Sequence, residues 1–229
     1  MLWYKGWLET RLRILFALGF GLFFIVTTHN ANPNSPAAAQ GVAAVFAFYW
    51  ALAPFLLAGA GIRTQPSFQA CKGLHGSMYF TLSMPVSRLR LLAVRAGLGM
   101  LEMVGVIACI SCVAYIATPA LKMHATSSDL LAYWVAASVC ASGFYFLSVL
   151  FATFLDEQWR VWASMLAVFA LWWLSTRTSV PPFLNLFQAM GASSPLFTHT
   201  FPWASMGVSI AASAILFFAA LKVVQMSEY

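Results

Sequence analysis

From Gly41 to Gly61 the chain carries no charged residue. A helix rises about 1.5 Å per residue, so this stretch is long enough to cross the ~30 Å hydrocarbon core of a bilayer. Similar apolar stretches run from Leu12 to Val26, Leu91 to Ala117, Leu130 to Phe154, Val161 to Leu174 and Ala204 to Leu221. Six spans are therefore expected. The fifth is short for a full crossing unless Trp159 and Thr176 are counted with it. Composition closes the alternative of a soluble domain. Charged residues are 8% and hydrophobic residues 62% of the chain, whereas a soluble fold carries about 25% charge. The fold class expected is all-α integral membrane, with residues 1–229 as a single transmembrane domain and no soluble domain or repeat.

The links are polar and turn-rich. Asn30 to Pro36, Thr118 to Ser128 and Asp156 to Arg160 read as loops or tight turns. Ser175 to Trp203 contains Pro181, Pro182, Pro195 and Pro202. It is expected to form short re-entrant segments between spans five and six, acting either as a lid over an exit or as a cap that stabilises a dimer. At the other end, Met1 to Arg13 holds Trp3, Tyr4, Trp7 and Leu8 beside Lys5, Glu9 and Arg13. This pattern fits an N-terminal amphipathic helix lying at the interface, and equally the snorkelling flank of the first span. No small-residue cleavage site follows cleanly, which argues against a cleaved leader.

Basic residues give an orientation. With the N-terminus inside, Lys5, Arg11, Arg13, Arg63, Lys72, Arg88, Arg90, Arg95, Arg160 and Lys222 lie on the cytoplasmic side, and only Lys122 and Arg177 lie outside. That asymmetry predicts both termini in the cytoplasm of a multi-pass protein of the cell's inner (plasma) membrane. It accounts for the net charge of +6 through topology and anionic lipid, without nucleic acid.

The chemistry that the chain lacks is also informative. There is no P-loop, no H-E-x-x-H and no G-x-S-x-G in the sequence. His29, His75, His124 and His199 are scattered, so no metal site is expected from them. Cys109 and Cys112 form a C-x-x-C inside an apolar helix, which reads as small residues at an interhelical seam. Cys71 reads as a reduced thiol in a cytoplasmic loop. Aromatic residues gather around the fourth and fifth spans, including Trp134, Tyr145, Trp162, Trp172 and Trp173. They fit interfacial belts and helix packing, with some available to line a path for an apolar substrate.

The most informative segment is the loop before the third span. Ser77 can cap a short helix that Pro85 ends after Met84. Ser87 then caps a helix that continues to Ala117, about 46 Å long. The stretch Phe80-Thr81-Leu82-Ser83-Met84-Pro85-Val86-Ser87-Arg88, followed by Leu91 to Gly97 and Glu102, resembles the membrane subunit of ABC-2 type transporters. Met84 stands where that family has Leu. Trp7 to Arg11 resembles the family's N-terminal approach helix. The resemblance implies a permease without ATPase motifs of its own, and so not an enzyme by itself. It would pair with a separate ABC ATPase subunit that binds ATP, and with a second permease, the same or different. It further implies that the helix from Gly76 to Pro85 couples to the ATPase. Tyr79, Phe80, Leu82 and Met84 would be docking contacts, and Arg88 and Arg90 would pair with carboxylates or lipid phosphates.

Glu102 is the remaining feature. An ionisable group at this depth marks a gating or pathway residue, or a structural ion pair with Arg95 or Arg63. Two other classes stay open beside the exporter subunit. A secondary carrier would show broken spans, and an intramembrane enzyme would cluster polar groups within spans.

Overall fold

A computed structural model of the chain describes residues 2–32, 34–58, 87–155, 157–177 and 180–226. These residues form helices and connecting turns, with no strand among them. The helices are α1 (Leu2–Thr28), α2 (Pro36–Leu57), α3 (Arg88–Ala117), α4 (Pro119–His124), α5 (Ser127–Phe154), α6 (Glu157–Arg177), α7 (Leu186–Met190), α8 (Pro195–Thr198) and α9 (Trp203–Met226). The expected short helix with Tyr79, Phe80, Leu82 and Met84 lies outside the described residues. So do Arg63, Cys71, Lys72 and His75.

Local chemistry sets the boundaries. Ser35 caps α2 by accepting from the Ala38 N–H at 3.3 Å, and Pro36 opens the helix. Ser87 caps α3 as its sequence position predicts, accepting from the Arg90 N–H at 3.3 Å. That helix then runs 30 residues without a break. Pro119 ends it, forcing Thr118 into extended backbone. Thr126 and Asp129 cap α5 reciprocally, each side chain bonded to the other's backbone N–H. Of the two readings of Met1 to Arg13, an interfacial helix apart from the first span and the flank of that span, the structure shows the continuous one. α1 is one helix of 27 residues, because nothing between Glu9 and Ile14 breaks it.

Five helices are long and apolar enough to cross a membrane: Thr10–Thr28 within α1, all of α2, Leu92–Ala117 within α3, α5 and α9. The chain thus has the build of a multi-pass helical membrane protein. The expected fifth span, α6, is not among them. Its 21 residues are enough in length, but Arg160 and four tryptophans lower its apolarity.

Contacts fix the sense of each long helix. Thr10 bonds Glu102, Gly21 lies against Ile110, and His29 Nδ1 sits 2.7 Å from the Ala117 carbonyl. These pairs rise together, so α1 and α3 run the same way. α2 turns back on α1, where the Tyr49 hydroxyl donates to the Ala17 carbonyl at 2.6 Å. α5 opposes α3: Trp134 Nε1 donates to Val104 and Tyr145 to Ala96, at 3.1 and 2.9 Å. A tight turn sends α6 back along α5, where Ser164 bonds Ser148 at 3.3 Å. α9 runs with α5, pairing Ser209 with Val139, Ser213 with Ser142 and Phe217 with Phe146. The six long helices therefore alternate in direction. The start of α1 and the end of α9 lie at one end of the bundle.

Burial follows helical spacing. α1 rests on the bundle by a narrow stripe of Thr10, Ala17, Gly21 and Ile25. On α3 the inward residues are Glu102, Met103, Val106, Ile107, Ile110 and Ala114. This corrects one expectation. Cys109 and Cys112 are free and exposed, since the same period places them with Gly105 and Ile116 on the outer face rather than at a seam. Cys140 is free and buried on α5. α7 and α8 occupy the Pro-rich link. α7 packs against the middle of α5 and α2: Phe187 meets Phe144 with ring centroids 5.3 Å apart, and Gly191 lies against Ala44 and Ala47.

α5 and α9 form the most extensive helix pair. Gly143 lets them close, and its N–H donates to Ser209 Oγ at 3.2 Å. A Cβ at this position would stand 3.1 Å from the same oxygen. Gly143→Val is expected to destabilise the bundle by about 1–3 kcal/mol through overpacking, read as a lower melting temperature in detergent. Gly105→Val, where a Cβ meets nothing within 4 Å, should leave it unchanged.

Candidate functional site

Polar side chains from four helices converge toward the end of the bundle where α1 and α3 begin. Glu102, on the inward face of α3, is 8% exposed. The Thr10 hydroxyl of α1 lies within hydrogen-bonding reach of Glu102 Oε1, and also 3.3 Å from the carbonyl of Trp7. Oε2 of Glu102 is buried and has no hydrogen-bond partner among the described residues. Arg13, one turn beyond Thr10, acts on the carboxyl electrostatically.

The cluster extends into α5 and α6. Tyr145 is fully buried and donates to the Ala96 carbonyl. Gly99 leaves the space its hydroxyl occupies. Glu102 and Arg160 both lie within electrostatic reach of that hydroxyl. Arg160, in the first turn of α6, is 1% exposed. It and Glu102 are the buried acidic and basic residues among those described. Arg13 and Thr10, Glu102, Tyr145 and Arg160 thus bring polar atoms of α1, α3, α5 and α6 into one region of an otherwise apolar bundle. The Thr10–Glu102 contact joins α1 to α3 and the Tyr145–Ala96 bond joins α5 to α3, and an ionisable group at this depth is retained for function or for a defined partner.

Other expected site residues fall elsewhere. Arg90 is exposed at the start of α3. Arg88 opens that helix, and its side chain is outside those described. Arg95 lies two turns before Glu102 and is half-buried. The partners that sequence position suggested for Glu102 were Arg95 and Arg63, and the structure adds two from α1 that it did not suggest. Thr10, Arg13, Tyr145 and Arg160 carried no local signal of their roles. Each looks like a flank or packing residue until the helices are placed.

The histidines stay apart. His199 Nδ1 lies 3.0 Å from Asp129 at the far end of the bundle. His124 Nδ1 lies 3.0 Å from its own helix carbonyl at Ala120. Among the described residues no group of His, Cys, Asp or Glu converges to hold a metal ion. Toward that far end lies a small apolar hollow walled by Phe46, Trp50, Tyr133 and Leu196. Trp50 Nε1 donates to the Tyr133 hydroxyl there at 2.8 Å, and the Ser111 hydroxyl beside it is buried without a partner among the described residues.

No protein-family model matches the chain, and no curated protein or solved structure matches it either.

Tyr145→Phe removes one buried hydrogen bond and keeps the ring. It is expected to cost about 1 kcal/mol of stability, visible as an earlier thermal transition in detergent.

Proposed function

We propose that this chain is the membrane-spanning permease subunit of an ATP-driven exporter of the ABC-2 type, energised by a separate ATPase subunit. The resemblance of Phe80 to Glu102 to that family carries the reading. The course of the chain after that stretch agrees with it. Ser87 starts an unbroken helix from the proposed docking loop to Glu102 and beyond, so a push on the loop reaches the buried polar cluster along a rigid rod.

Six crossings are part of this proposal. α6 runs back along α5, and its exposed tryptophans fall in two groups, Trp159 and Trp162 near one end and Trp172 and Trp173 near the other. That is the spacing of two interfacial belts on one span. The end of the bundle holding Arg11, Arg13, Arg90, Arg95, Arg160 and Lys222 is the cytoplasmic one by the same basic-residue rule. α7 and α8 form a re-entrant segment from the outer side. Tyr79, Phe80, Leu82 and Met84 dock into the ATPase, with Arg88 and Arg90 at the rim. Glu102 takes part in gating, and a second permease completes the exporter.

The secondary-carrier reading keeps one observation in its favour. A broken segment packs against the middle of α5 and α2, which is where such carriers bind substrate.

Co-purification separates the two. In mild detergent the tagged chain is expected to bring down a stoichiometric ATPase subunit. Phe80→Asp should abolish that association while leaving the chain folded. Intact chain that is free of any ATPase under several conditions would overturn the exporter reading.

A further inference from the structure

Thr10 presents one hydroxyl hydrogen to two acceptors. Its Oγ1 lies 3.3 Å from the Trp7 carbonyl and within bonding reach of Glu102 Oε1. With an ionised carboxylate, the hydrogen goes to Glu102 and the Trp7 carbonyl keeps its helix bond alone. With a protonated carboxyl, both bonds form together. Glu102 then donates to Thr10 Oγ1, and Thr10 donates to Trp7.

Burial points the same way. An ionised Glu102 would hold charge on an Oε2 that is buried and has no hydrogen-bond partner among the described residues, which is unfavourable in low dielectric. A neutral carboxyl removes that charge and leaves a weak carbonyl acceptor. The charged and titratable groups around the carboxyl come from each element. On α1, Arg13 lies within electrostatic reach of it. On α3 itself, Arg95 is two turns away. From α5 comes Tyr145, bonded to Ala96, and from α6 comes Arg160, acting on that tyrosine. From α2 the Leu57 carbonyl lies beside Gly99, one turn before Glu102. On α9, Lys222 is exposed near the helix end.

We infer that Glu102 is a proton-binding site, and that the carboxyl carries its proton while α1 is docked on α3 through Thr10. Binding takes one proton from water onto the carboxylate, and no other bond is made or broken. Loss of the proton leaves a buried charge on an oxygen without a partner among the described residues, so it loosens α1 from the bundle. Docking of α1 and the proton are thereby linked. This deepens the gating role given to Glu102 but does not require an ATPase partner.

Infrared spectroscopy of the full chain in lipid nanodiscs tests it, with whatever subunit co-purifies left in place. At neutral pH a protonated-carboxyl C=O band is expected that is absent in Glu102→Gln and disappears at alkaline pH. Thr10→Val should move that band to higher frequency, because the carboxyl loses its hydroxyl partner. The Thr10 variant also serves if Glu102→Gln does not fold. A spectrum at neutral pH with no band assignable to Glu102 would overturn the inference, as would a band that Thr10→Val leaves in place. Neither readout depends on the exporter reading, so the two can fail separately.

Discussion

In lipid, an apolar helix face gains little by leaving the acyl chains for another helix. Such helices are held instead by close backbone approach and internal hydrogen bonds. α5 is where this bundle concentrates both. Its seam with α9 is built from Ser142, Gly143, Ser209 and Ser213. Tyr145 ties it to α3 and Ser148 to α6, and Tyr133 receives Trp50 from α2. α1 is attached differently. Its lipid face is broad and apolar, from Leu12 and Phe16 to Phe23 and Val26. Its polar links to the described part of the bundle include Thr10 with Glu102, the Ala17 carbonyl with Tyr49, and His29 with the end of α3.

The elements of the fold were legible because their signals are local. Length and lack of charge identify five of the six expected spans among the described residues, and α6 falls short of that mark. Ser87 as a cap, the tight turn after Phe154 and the prolines between Ser175 and Trp203 give the boundaries. The relation between helices was not legible. A helix that is apolar all round has no polar face to say which side is inward. Cys109 and Cys112 illustrate this: nothing in the sequence separates their face of α3 from that of Val106 and Ile110. The continuity of α1 was left undecided for a related reason. Charged and aromatic residues at an interface suit both a surface helix and the start of a span.

The site was half legible. Glu102 stands out in any reading, as the acid within an apolar run. Its setting depends on residues far away in sequence, Thr10 and Arg13 before it and Tyr145 and Arg160 after it. Only the alternating path of the helices brings them together. The resulting cluster lies on the same helix as the loop that resembles a docking element. A 30-residue helix joins the two, and this shared rod makes a mechanical link between loop and polar cluster physically reasonable.

The proposed six crossings rest on α6 returning through the membrane between α5 and α9, which run the same way. The direct measurement is cysteine labelling with a membrane-impermeant reagent at the two ends of α6, on a background lacking the native thiols. A cysteine at Thr176 should label in intact cells. A cysteine at Trp159 should label only after the membrane is opened. Labelling of both from the same side would contradict the six-crossing bundle.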